Sequence, residues 1–542
     1  MRNFIIILML GFVGCSAPQN VEILIFNAKI YTVDKDFSIM QAMAIKDGRI
    51  IATGSNEYIR RNYMADKEMN MNGAFVYPGF VDAHSHFISY GKGLVSKADL
   101  VATKSFDEVI TRLKEFDSQY QADWLIGRGW DQNDWEVKEF PEKEALDAIW
   151  PEKPVYLTRI DGHAALLNSK ALDLAGIDAS THVNGGEIIM KNGQPTGVLL
   201  DNAMELVLAL IPQMSEEQLR TAILESERNC FSKGLTTVCD AGLEYNEVQL
   251  LDRMQKNHEL KMRVYAMLTP TDENIELMLP KGPYKTERLN VRSIKLYADG
   301  ALGSRGACLI HDYSDQAHWK GMMLSSQQYY DSLCSIASHW GFQVNTHAIG
   351  DSANRVMLKT YARFLKGKND KRWRIEHAQV LHPDDFKMFA EYSIIPSVQP
   401  THATSDMYWA DERLGAERIK SAYAYNQLLK QNGWLPLGTD FPIEKIDPLL
   451  TFYAAIARKD LDDYPPQGFQ MENALSRENA LRGITIWAAK AGFEEQEKGS
   501  LEVGKYADFV VLDRDILSVD EGELPATQIK MCFLNGDLVF ER

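Results

Sequence analysis

The sequence predicts an α/β protein: a TIM-like parallel (β/α)8 barrel, with a small β-sandwich built from both chain termini and an α/β insertion after the first barrel strand. Three observations lead there. The interior of the 542-residue chain alternates short apolar runs with amphipathic stretches, the pattern of parallel strands joined by helices. Both ends of the chain read as hairpins of short alternating strands. Between the first two barrel strands lies a gap, residues 90–233, that is far too long for a loop. The length also exceeds the roughly 250–300 residues at which one core stops growing, so several domains are expected.

At the N-terminus, "MRNFIIILMLGFVGC" has one arginine, an apolar run from Phe4 to Val13, and then Gly14 and Cys15. This predicts a signal peptide over residues 1–15, shorter than the ~20 residues a spanning helix needs. The small residue before Cys15 resembles a bacterial lipobox. The expectation is export to the cell envelope with Cys15 lipidated on the periplasmic or surface face; plain cleavage near "CSAP" is the alternative. The sandwich is expected from residues 21–77 and 499–542, through "VEILIFNAKIYTV" and "AMAIKDGRIIATG" at one end and "YADFVVLDRD" and "IKMCFLNGDLVFER" at the other. Asp47-Gly48 and Asn535-Gly536 supply the hairpin turns.

The barrel is expected over residues 78–498. Its strands are read in "GFVDAH", "GLTTVCDAG", "MRVYAML", "SIKLYAD", "FQVNTHA", "WRIEHA", "IIPSVQP" and "WLPLGTD". Helices are read in stretches such as "SANRVMLKTYARFLK" and "PDDFKMFAEY". The insertion has its own strands, "DWLIGRGWD" and "PVYLTRID", and its own helices, "SFDEVITRLKEFDSQ" and "MSEEQLRTAILESERNCFSKG".

A formal net charge of -17 and the lack of a dense basic patch argue against nucleic acid as a partner. A small-molecule substrate is expected, with membrane contact only through the N-terminal anchor and a homodimer left open. The five cysteines after Cys15 show no CxxC spacing and read as buried free thiols.

Reactive groups in such a barrel stand at the C-terminal ends of its strands. "VYPGFVDAHSHF" ends on His84 and His86, which share one face of a strand because side chains alternate. Lys295 lies in the fourth strand, His347 and His377 close the fifth and sixth, and Asp440 closes the eighth. Singly each has a plain structural reading: His347 and His377 as core or loop residues, Lys295 paired with Asp299 at the surface, Asp440 capping a helix after Pro442. As an ordered set on one barrel they point to a metal-binding cavity.

Over nearly the whole mature chain the motifs "PGFVDAHSH", "GWDQNDW", "DGHAALLNSKAL", "KGLTTVCDAG", "IKLYADGALGSRGA", "NTHAIGDSANR", "RIEHAQ", "SVQPTHATSD", "LGTDFPIE" and "KGSLEVGKYADFVVLD" resemble the amidohydrolase superfamily. The similarity is to the amidohydrolase 3 branch that includes N-substituted formamide deformylase. It implies that His84 and His86 bind one metal, that His347 and His377 bind a second, and that Lys295 is a carbamylated bridge. Asp440 is then the last ligand and the proton shuttle. The ligand types suit one or two divalent ions, zinc first among them. The implied reaction is hydrolysis of an amide, N-formyl or N-acyl C–N bond, not a peptide backbone bond, by metal-activated hydroxide. Hydrolytic deamination is the alternative, and a non-catalytic ligand-binding lipoprotein is a third reading. Asp131, Gln132, His163, Arg305 and His402 are candidates for substrate binding. Trp130 and Trp135 serve either the substrate or the core of the insertion.

Overall fold

Short runs rich in β-branched and apolar residues, buried on both faces, form the wall of the barrel, as parallel strands covered by helices require. The computed structural model describes residues 17–120, 122–159, 162, 164–183 and 186–542. The expected signal segment, Cys15 and His163 lie outside these residues.

The barrel strands are β1 (Phe80–Ser85), β2 (Leu235–Leu243), β3 (Arg263–Leu268), β4 (Leu289–Tyr297), β5 (Gln343–Ala348), β6 (Arg374–His377) and β7 (Ile395–Ser397). They pair in chain order, each parallel to the next. Helices such as Asp351–Leu365 cover the wall. Its Ala353, Met357, Leu358, Tyr361 and Leu365 are buried, a stripe at helical spacing.

The eighth position differs from the strand expected in "WLPLGTD". Pro436 has no N–H to give, so a regular ladder cannot form there. The segment nonetheless bonds both neighbours. Val398 N–H donates to the Pro436 carbonyl (3.2 Å), Gly438 N–H to that of Val398 (3.0 Å), and Ala83 N–H to that of Leu437 (3.1 Å). The wall therefore closes between β7 and β1. Glycine is needed at 438, where a Cβ would lie 2.5 Å from the His84 nitrogen.

Both chain ends enter one six-stranded sheet, in the order Asp537–Glu541, Ile529–Leu534, Phe509–Leu512, Phe75–Pro78, Lys29–Tyr31, Ile39–Met40. A four-stranded sheet runs Arg49–Gly54, Ala42–Lys46, Gln19–Phe26, Tyr63–Asn70. Ile25, Met43, Ile45 and Ile50 of the smaller sheet share an apolar cluster with Ile30, Val76, Phe509 and Phe533 of the larger. The turn residues Asp47-Gly48 and Asn535-Gly536 all have positive φ, as two-residue hairpins demand.

Asp515 ties the larger sheet together. It accepts hydrogen bonds from Lys29 Nζ (2.7 Å), Tyr31 OH (2.8 Å) and Tyr77 OH (2.8 Å). Burial alone would raise its carboxyl, but these donors hold it down at about 2. The folded value is below the unfolded one, so the stabilisation is complete above the ordinary carboxylate range and is lost as pH falls towards 2. Asp515→Asn is expected to lower stability by on the order of 2 kcal/mol near neutral pH. In urea denaturation followed at descending pH, the gap to the wild type should close.

Phe87–Arg228 forms a second compact unit. Its sheet runs Gly186–Lys191, Gln194–Asp201, Ala164–Leu167, Val155–Arg159, Leu125–Trp130, Ala98–Asp99. Trp130 and Trp135 belong to this unit's core, their indole N–H groups donating to the carbonyls of Leu157 and Thr103. The core reading of the two tryptophans therefore holds. Cys230, Cys239, Cys334 and Cys532 are buried and in no disulfide, and Cys308 is half-buried and likewise in none. No helix among the described residues is long and apolar enough to cross a membrane.

Candidate metal centre

Five histidines from four segments meet at the C-terminal end of the barrel. His84 ends the ligand face of β1, His86 follows it, His347 lies in β5, His377 ends β6, and His402 sits in the helix Pro400–Asp406 after β7. Ring centroids are 5.6 Å apart for His84 and His86, 4.9 Å for His84 and His377, 4.5 Å for His347 and His377, and 5.8 Å for His377 and His402. The pairing of β4 with β5 sets Lys295 beside Asn345, and that of β5 with β6 sets Ala348 beside His377. Asp440 N–H donates to the His84 carbonyl (2.8 Å), which locks the segment after the barrel closure onto β1.

Strained backbone marks the same place. His377 has φ 73°, Ala378 42° and Asp440 63°. Positive φ in residues other than glycine persists where the surroundings impose it, and such residues gather at functional sites. Here the turn at the end of β6 swings His377 inward, and that after the closing segment does the same for Asp440.

His84, His377 and Asp440 each offer one ligand atom, and these atoms lie within 4.8 Å of one another. Asp440 Oδ1 is 3.2 Å from His86 Nε2 and 3.5 Å from His84 Nε2, while Oδ2 is 3.1 Å from His402 Nε2. Lys295 Nζ lies 3.4 Å from His84 Nε2. Among the described residues, His347 Nε2 and His377 Nδ1 are buried without a hydrogen-bond partner. Buried polar atoms are normally paired. Orphaned imidazole nitrogens converging with a carboxylate oxygen fit a divalent cation.

The charge states suit that role. Burial, reinforced by the Lys295 ammonium, pushes His84 well below the usual imidazole range and His347 to about 3. Burial and then His347 do the same to His377. All three are neutral imidazoles with a lone pair to give. Burial also pushes Lys295 below the usual ammonium range, against the pull of Glu376, Asp440 and Asp240. For Asp440 burial acts upward, but the His402 and His86 hydrogen bonds win and hold the carboxyl well below its ordinary value. The same contact outweighs burial at His402 and raises it to about 9.

Two of the plain readings fail. Asp299 is no surface partner of Lys295: both are buried, and the Asp299 carboxylate accepts the N–H groups of Ile349 (2.9 Å), Gly350 (2.8 Å) and Cys308 (2.8 Å). It binds the loop after β4 to the end of β5 and lies 3.8 Å from His347 Nε2. Asp440 caps no helix; its carboxylate faces the histidines. Two residues were not legible as part of the site. Asp82 accepts from His84 N–H (3.0 Å), Thr439 N–H (3.0 Å) and Thr439 Oγ1 (2.7 Å), and Glu376 Oε2 lies 2.7 Å from His84 Nδ1. The period of two in "VDAHSHF", which puts Asp82 on the face of His84 and His86, was a usable signal for the first.

Of the substrate candidates, His402 joins the cluster. Arg305 is bound by Asp315 at 2.7 Å, and Arg413 reaches the same carboxylate. Asp131 and Gln132 hold Arg159 within the second unit, at 2.5 Å and 2.9 Å.

A family model described as the amidohydrolase family matches residues 67–540. The chain is 32% identical over 525 residues to the protein YtcJ of Bacillus subtilis (strain 168), covering 95% of this chain and 98% of that one. It is 28% identical over 550 residues to the N-substituted formamide deformylase of Arthrobacter pascens, covering 97% and 99%. The crystal structure of a metal-dependent hydrolase from Pyrococcus horikoshii OT3 superposes with a TM-score of 0.77 at 29% identity, over 92% of this chain and 99% of that one. On the family match and the similarity over almost the full length, the chain belongs to the amidohydrolase family.

Proposed function

We propose that this amidohydrolase cleaves amide-type C–N bonds of small molecules, of the N-formyl or N-acyl kind, with one or two divalent ions held by His84, His86, His347, His377, Lys295 and Asp440. The observation that carries the reading is the convergence of neutral, partnerless imidazole nitrogens with an ionised carboxylate in one buried cluster. Zinc suits this nitrogen and oxygen donor set. A divalent ion bound there would supply Lewis-acid activation of water and of the scissile carbonyl.

The chain's own residues do the rest. Asp440, ionised at neutral pH, accepts the proton of the attacking water and returns it to the departing nitrogen. His402 holds Oδ2 from behind at 3.1 Å, with Glu444 Oε1 3.6 Å from its other ring nitrogen. That leaves Oδ1 directed at the centre. Lys295 would enter as its carbamate: the amine form of Nζ adds to the carbon of carbon dioxide, one proton leaves, and the resulting anion would serve as a ligand to a divalent ion in place of a buried ammonium. The deformylase among the relatives supports the choice of N-formyl amines as the first compounds to try.

The test is incubation of the metal-replete protein with N-formyl and N-acyl primary amines. Release of the carboxylic acid and the primary amine in equal amounts is the expected result. Release of ammonia from amino-substituted heterocycles, with the acylated amines untouched, would replace this reading with hydrolytic deamination.

A further inference from the structure

We propose that Glu376 is the positioning residue of the centre: it fixes His84 as the tautomer protonated on Nδ1 and so aims the Nε2 lone pair at the ligand cluster. The inference rests on the reading of His84 as a metal ligand. Glu376 Oε2 lies 2.7 Å from His84 Nδ1, and both side chains are wholly buried. The Arg374 guanidinium, 3.8 Å from Oε1, favours the ionised form of Glu376 against burial, and a carboxylate can only accept, so the shared hydrogen belongs to the imidazole. A neutral imidazole carries one N–H, which leaves Nε2 bare. That nitrogen is the one facing Asp440 Oδ1 at 3.5 Å and Lys295 Nζ at 3.4 Å.

The strand explains why a glutamate at this position can do so. Arg374 and Glu376 share a face of β6 by the alternation of a strand. The Arg374 guanidinium is itself anchored by a hydrogen bond to the Ala83 carbonyl on β1 and lies 3.8 Å from Glu376 Oε1. Glu376 is thus held from one side by an arginine fixed to β1, and it holds the β1 histidine on the other. His377, the next residue, is turned into the cluster by its positive φ. One pair of neighbours on β6 supplies both a ligand and the holder of a ligand from β1, so the distance between His84 and His377 is set by a single strand. Outer partners of this kind are worth roughly 10–100-fold in metal affinity.

The test reads cobalt(II) binding to the apo protein by competition with a chromophoric chelator, together with nitrogen-15 NMR of the histidine rings in the apo protein. His84→Asn identifies the His84 signal. In the wild type that ring is expected to show the Nδ1–H pattern; an Nε2–H pattern overturns the proposal whatever the variants do. Glu376→Asp keeps the charge but withdraws it by one methylene, and it is expected to weaken cobalt binding roughly 10–100-fold. Glu376→Gln keeps the reach and an acceptor oxygen, so its loss should be smaller. Wild-type affinity in a folded Glu376→Asp protein overturns the proposal. If the wild type itself binds no cobalt, it is the metal-centre reading that fails.

Discussion

Asparagine in place of Asp440 is expected to lower kcat by roughly 10²–10⁴-fold, the range of a lost general acid–base group. The substitution is nearly isosteric, and asparagine tolerates the left-handed backbone at this position, where φ is 63°. The amide oxygen can still accept from His402, so the fold and part of the ligand set survive. What disappears is a carboxylate held ionised by its hydrogen bonds to His402 and His86. Steady-state kinetics on metal-replete wild type and Asp440→Asn, with melting temperatures as a control, measure the effect. Full activity in the variant would remove Asp440 from the reaction.

His377→Asn carries the second large effect. The His377 side chain is buried and its Nδ1 has no partner among the described residues. Taking the ring away therefore leaves anchors of the fold such as the Glu376–His84 pair in place. Asparagine again accepts the positive φ, here 73°. The loss falls on the cluster of His84, His377 and Asp440, whose ligand atoms lie within 4.8 Å. Affinity for the divalent ion should fall by more than the roughly 10–100-fold that outer partners are worth. Equilibrium dialysis against a chelator measures it, and an unchanged affinity would take His377 out of the ligand set.

Much of this was legible because strand patterns and strand ends are local. "GFVDAH" and "FQVNTHA" are short apolar runs that finish on histidine, and a barrel brings such ends together whatever their separation in sequence. Lys295 stood out as an ammonium in an apolar strand. Glu376 did not, because its role depends on a partner 292 residues away across the barrel interior. Asp299 misled for a related reason: it is buried because three backbone N–H groups reach it, that of Cys308 further along its own loop and those of Ile349 and Gly350 after β5, and none of them is visible in the residues around it. The eighth barrel position reads as a strand by composition, yet Pro436 denies it a ladder and only its two neighbours reveal that it closes the wall. Around "GWDQNDW", sequence alone could not tell a core from a binding surface, since tryptophan serves both; the indole hydrogen bonds to Leu157 and Thr103 decide for the core.

Everything proposed for the chemistry requires that the histidine cluster hold a divalent ion. Elemental mass spectrometry of the protein, purified after metal-replete growth, measures this directly. At least one equivalent of a divalent transition ion per chain is expected, with hydrolysis of acylated amines lost on chelation and restored on adding the ion back. A protein that is free of metal, or whose hydrolysis persists after complete chelation, would contradict the account.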